Sequence, residues 1–128
     1  MQDKNIKFYR LLEIHLEGIL QKTLKSSEQK ELTPLLMREI REGIRESISS
    51  VFTQSKHKLS QEATTWLTDQ YFKRIKVGKN QVMSDQVVIN EYTLSELTFD
   101  DVQLLRNLFV ETQMGPELDD ELKKRSLS

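Results

Sequence analysis

Five apolar residues following Thr33-Pro34 constrain the fold more than any other feature of this chain. Met37, Ile40, Ile44, Ile48 and Val51 are spaced 3, 4, 4 and 3 apart. That spacing lines up side chains on one face of an α-helix and scatters them on a strand. Thr33 can cap such a helix, and a proline at its first position gives up an N–H that has no intrahelical partner there. A helix patterned this way is stable mainly through the cover given to its stripe, so other segments of the chain must supply that cover.

Three further segments share the helical period. From Ile6 to about Leu24, the residues Phe8, Leu12, Leu16, Ile19 and Leu20 recur at helical spacing. Ser60 opens SQEATTWLTDQYFKRIKV, in which Ala63, Trp66, Leu67, Tyr71 and Ile75 form the expected buried side and Gly78 the expected C-terminal cap. Thr98 opens another helix: Asp100 and Asp101 favour its positive end, and Leu97 and Val102 stand where a hydrophobic staple closes. This helix carries Val102, Leu105, Leu108 and Phe109, and Met114-Gly115-Pro116 is expected to stop it, with the glycine as C-cap. Glu117–Arg125 then reads as a short last helix, acids first and bases last.

One stretch departs from this pattern. QVVINEYTL, residues 86–94, clusters Val, Val, Ile and Tyr with no second strand in sight, and an isolated hairpin is marginal in water. The expected fold is therefore all-α: a small bundle of three to four main helices, a short extended or β-like segment near residues 87–94, and a C-terminal helical arm. Residues 1–78 form the expected core domain. Residues 79–128 supply the loop, the extended segment and the C-terminal helices, as an arm or as part of the same core. An uncovered Leu104, Leu105, Leu108 and Phe109 would have to meet another subunit, and docking between subunits is the reading preferred here.

Composition narrows the function. A chain of 128 residues, 37% hydrophobic and 30% charged, fits one domain with a core of useful size. It has no cysteine, which excludes disulfides and thiolate metal sites. Its net charge of −1 gives no global attraction to DNA or membrane. No apolar run approaches the roughly 18–20 residues that span a bilayer, and Arg10, Glu13, His15 and Glu17 interrupt the N-terminal apolar residues where a signal peptide would be continuous. A soluble, cytoplasmic protein is expected.

Few residues suggest chemistry. His15 and His57 have no second ligand at helical spacing, and the flanking lysines at His57 disfavour a cation. Gly78 belongs to no phosphate-loop pattern, and Asp119-Asp120-Glu121 lacks calcium-loop spacing. No catalytic, cofactor or metal site is expected, and no small-molecule substrate.

MREIREGIRESI is more informative. At 100° per residue, Arg38, Arg41 and Arg45 fall within about 60° of one another, beside a strip of Glu39, Glu42 and Glu46. Glu42 stands at i+4 from Arg38 and i−3 from Arg45. Arg41 has no acid at matching spacing and must find one elsewhere or point to water. On that basis Arg41→Glu should leave the fold intact and weaken a binding event. Arginines edging an apolar stripe suit a protein interface, and the adjacent glutamates repel phosphate. The expected function is that of a non-enzymatic interaction protein: an adaptor, regulator or assembly factor, homo-oligomeric or bound to a protein partner. Arg38, Arg41, Arg45, Leu104, Leu108 and Phe109 are its interface candidates.

The alternative is an oligomeric nucleic-acid-binding protein. It would use Lys73, Arg74, Lys76 and Lys79, four positive charges at a helix end, with Trp66, Tyr71 and Phe72 just upstream. The general layout is similar to that of small accessory proteins of phages and mobile elements, such as regulators and the small subunits of DNA-packaging motors. The similarity is one of organisation, and it carries over no residue.

Overall fold

The computed structural model describes residues 7–26, 34–73, 76–77, 80–81 and 92–127. Five helices dominate it: α1 (Phe8–Ser26), α2 (Pro34–Gln54), α3 (Gln61–Phe72), α4 (Phe99–Phe109) and α5 (Gly115–Leu127). A single 3-10 turn, Leu94–Glu96, precedes α4. Lys76–Val77 (β1) and Asn80–Gln81 (β2) pair antiparallel in a two-residue ladder, with Lys76 opposite Gln81 and Val77 opposite Asn80. The protein is all-α in class.

The α2 stripe does what its spacing requires. Met37, Ile40, Ile44, Ile48 and Val51 are all buried, the three isoleucines completely. Complete burial of one such side chain is worth roughly 1.5–3 kcal/mol. Helix α1 supplies part of the cover through Leu12 and Leu16. The Phe8 ring meets Phe52 edge-on at 4.8 Å, so the start of α1 lies against the end of α2 and the two run antiparallel. Ala63, Trp66, Leu67 and Phe72 of α3 join the same cluster.

The C-terminal helices belong to this core as well. Leu94, Leu97, Val102, Leu105, Phe109, Met114 and Leu118 are buried in the cluster that holds Leu12, Ile44 and Leu67. Phe109 meets Phe8 edge-on at 5.9 Å. Val102, Leu105 and Phe109 of α4 are thus covered inside the chain and need no second subunit to shield them.

A polar clasp fixes α4 to α3 at their N-termini. The Ser60 hydroxyl accepts from Ala63 N–H at 3.1 Å, capping α3, and donates to Asp101 Oδ2 at 2.5 Å. Ser60 N–H donates to Asp101 Oδ1 at 3.3 Å. The Thr98 hydroxyl caps α4 by accepting from Asp101 N–H at 3.1 Å. One carboxylate therefore sits at the positive ends of two helices, where the backbone dipoles favour it. At the same end of the C-terminal pair, Arg125 donates through Nη2 to the carbonyls of Leu94 and Leu97 at 2.8 and 2.7 Å. It ties the 3-10 turn to α5.

Three boundaries differ from the sequence expectation. Helix α3 stops at Phe72, with Lys73 as its C-cap, and Val77 lies in the ladder where a helix was expected to continue to Gly78. Gly115 opens α5, and it does not cap α4, whose C-cap is Val110. A β-carbon at Gly115 would fall 2.3 Å from the Val110 carbonyl oxygen, so the two helices meet too closely for any side chain there. Of the extended segment expected near 87–94, residues 87–91 lie outside the described residues. Its end is a bend at Tyr92 leading into the 3-10 turn.

Candidate functional site

The three arginines of α2 have different fates. Arg38 is exposed, and Arg41 and Arg45 are half-buried. Arg41 Nε donates to Asp69 Oδ1 at 2.9 Å, where Asp69 is 0% exposed and the Arg41 side chain 24%. The partner that Arg41 lacked on its own helix is thus a carboxylate buried in α3. This corrects the expectation that Arg41→Glu would leave the fold intact. A glutamate there would set a second carboxylate beside a buried one, and breaking a buried pair is strongly destabilising.

Asp69 sits on a helix buried on nearly every side. Every residue from Ala63 to Gln70 is buried, including Thr64, Thr65, Thr68, Asp69 and Gln70. The Thr64 hydroxyl donates to Ser60 O at 2.8 Å and the Thr68 hydroxyl to Thr64 O at 2.7 Å. Each hydroxyl thus finds an acceptor one turn back on its own helix. The apolar period of the sequence marks only Ala63, Trp66 and Leu67 in this stretch. The polar residues between them gave no sign of burial.

The other interface candidates divide similarly. Leu104 and Leu108 are half-buried against the core, and Phe109 is completely enclosed. In the alternative set, Lys73 is the half-buried C-cap of α3 and Lys76 pairs in the ladder, while Arg74 and Lys79 lie outside the described residues. Trp66 and Phe72 are buried and not available for stacking on a base, and Tyr71 is half-buried. His57 packs edge-on against Phe8 at 5.6 Å.

The outer faces of the α1–α2 pair were not anticipated. Leu11 and Ile14 on α1 are 42% and 55% exposed, and Leu35 on α2 is 63% exposed. Exposed charges edge them: Arg10 and Glu17 on α1, and Arg38, Glu39, Glu42 and Glu46 on α2. The signal was present in the sequence. Leu11 and Ile14 are three apart and fall off the Leu12–Leu16 stripe, but an apolar residue near a stripe reads most simply as its edge.

Among the described residues, open grooves are present. One of about 320 Å³ lies where α1, the end of α3 and the α4–α5 turn meet, lined by Tyr9, Glu13, Tyr71, Glu111, Thr112, Gln113 and Met114. Both of its carboxylates already face cations: Lys7 Nζ lies 3.2 Å from Glu111, and Arg10 Nη1 lies 3.1 Å from Glu13. Comparison with known proteins places this geometry beside no other, since no family model, curated protein or solved structure matches the chain.

Proposed function

We propose that the chain is a non-enzymatic helical interaction protein, an adaptor, regulator or assembly factor that works through apolar helix faces edged by arginine and glutamate. One observation carries this reading. The core is complete without Leu11, Ile14 and Leu35, yet these large apolar side chains stand in solvent among charged neighbours. Scattered singly, such residues need no explanation. Leu11 and Ile14 are neighbours on one helix face, which is the pattern that suits a partner. The interface in this reading is Arg38 with the outer surfaces of α1 and α2. Arg41 and Phe109 serve the fold, and Arg45, Leu104 and Leu108 keep partial access.

The reading places the protein in the cytoplasm, acting as an oligomer or with a protein partner. No described helix is long and apolar enough to cross a membrane. The test is size-exclusion chromatography with light scattering on the full chain, alone and with short DNA and RNA. Self-association or a stable protein complex, indifferent to oligonucleotides, supports the proposal. Tight oligonucleotide binding that falls steeply with salt would overturn it, because such a slope reports counterions released by phosphate contacts. The accessory nucleic-acid-binding reading would then take its place.

A further inference from the structure

The exposed face of α1 has the geometry of a twofold contact with itself, and we infer that it is where a second copy of this chain docks. The inference rests on the interaction-protein reading and names its partner. Five residues define the face: Arg10, Leu11, Ile14, Glu17 and Gly18, all exposed. On a wheel of 100° per residue they span about 120°, opposite the buried Leu12 and Leu16. Ile14 lies midway across this arc. Arg10 and Glu17 flank it on one side, Leu11 and Gly18 on the other.

That diamond is self-complementary when two copies of α1 cross antiparallel about an axis at Ile14. A twofold axis perpendicular to the pair keeps each flank on its own side and reverses the chain direction. Arg10 then stands within one residue's rise of Glu17 of the second copy, and Leu11 likewise of its Gly18. Ile14 meets its own symmetry mate. Two Arg–Glu pairs and two Leu–Gly contacts form at once around one apolar centre. A parallel pairing would exchange the flanks and set Arg10 and Glu17 of one copy against Leu11 and Gly18 of the other, charge against apolar surface.

Gly18 supplies an independent reason. Glycine inside a helix is costly relative to alanine, and it is usually retained where a side chain would collide. At Gly18 a β-carbon would meet nothing within 4 Å. The monomer therefore gives no reason for a glycine here. A second helix seated with Leu11 over this position gives one, because the missing side chain lets the backbones approach. Arg10 is not locked away from the task. Its 3.1 Å bridge to Glu13 is exposed, and such pairs contribute little.

The experiment uses the full chain. Sedimentation or light scattering across concentration should show a monomer–dimer equilibrium. Ile14→Glu and Arg10→Glu should each weaken it about tenfold or more, with melting temperatures close to the parent's. The double variant Arg10→Glu/Glu17→Arg should restore it, since the swapped charges still face each other. Gly18→Leu should weaken it while leaving the helix intact. The chain has no cysteine, so Ile14→Cys should oxidise to a disulfide-linked dimer at dilutions where Ser49→Cys, exposed on α2, does not. A parent that stays monomeric up to its solubility limit overturns the inference. Self-association insensitive to Ile14→Glu and to the charge swap overturns it too, while leaving the interaction reading standing on another face.

Discussion

Helices α2 and α3 are neighbours in one core, and they bury themselves by opposite rules. Helix α2 has one covered face: its stripe is apolar, its far side charged, and the boundary follows the helical period. Helix α3 is covered almost all round and takes threonines, an aspartate and a glutamine into the interior with Trp66 and Leu67. In α2 burial is driven by apolar area. In α3 each buried polar group needs a partner, because an unsatisfied one costs the full penalty of leaving water. The two rules meet at Arg41 and Asp69, where the edge of the α2 stripe supplies the charge that α3 requires.

The largest expected effect strikes the simpler rule. Ile44→Asp places a carboxylate at the centre of a completely buried stripe, among Ile40, Ile48 and Leu67 of one cluster. It should cost about 4–5 kcal/mol or more and leave the chain largely unfolded by circular dichroism and thermal melting. A melting temperature within a few degrees of the parent's would break the comparison at its root, because α2 would then have no obligatory covered face.

The second effect tests the other rule. Asp69→Ala takes the 2.9 Å carboxylate from the Arg41 guanidinium, and Arg41→Ala takes that donor from a carboxylate that has no exposure at all. Removing one member of a buried pair costs roughly 3–5 kcal/mol. The aspartate change belongs at the lower end, since Arg41 keeps partial access to water. Replacing both together, Arg41→Met with Asp69→Leu, should recover much of the loss, so that urea denaturation of the four proteins shows a coupling well above that of a surface pair. Additive losses would mean that the two charges are stabilised separately, and that α3 does not depend on α2 for its charge.

These two helices also mark how much could be read from the sequence. The α2 stripe, the caps at Ser60 and Thr98, and the staple residues Leu97 and Val102 were all legible, because each is a local pattern with a local cause. The exceptional need of Arg41 was legible too, as an arginine without an acid at helical spacing. Its partner was not: Asp69 lies 28 residues away, and only tertiary packing brings it to 2.9 Å. Gly115 was misassigned for a similar reason. A Gly-Pro pair after a helix reads as a stop, and only the approach of Val110 shows that the glycine admits the next helix. The outer face of α1 escaped notice because a periodic reading asks which residues go inward and passes over apolar residues left outside.

The clasp between α3 and α4 should give an intermediate effect. Ser60→Ala removes the α3 cap and the hydroxyl that Asp101 accepts from. A lost cap costs about 0.5–2 kcal/mol, and the orphaned Asp101 oxygen, in a residue largely out of water, moves the expectation toward the upper limit. Chemical denaturation should show a reduced midpoint with an unchanged slope. Asp101→Asn, which keeps an acceptor but loses the charge at two helix ends, should cost less than Ser60→Ala. The reverse order would mean that the electrostatic part of the clasp outweighs the cap.

The smallest effect separates the polar residues of α3 from one another. Thr68 is as buried as Asp69, yet its hydroxyl donates to Thr64 O, a carbonyl placed one turn back where the helix ladder already uses it. Thr68→Val keeps the shape and removes only that donor. No buried acceptor loses its main partner, so the change should stay within about 1 kcal/mol, and it can stabilise the fold by removing a polar atom from the core. Thr68→Ala, which opens a void of one methyl group as well, should cost more. If Thr68→Val proves as damaging as Asp69→Ala, then the interior of α3 is held by a connected polar network in which every member counts. If it is silent, the polar interior reduces to one indispensable contact, the carboxylate that Arg41 reaches across to meet.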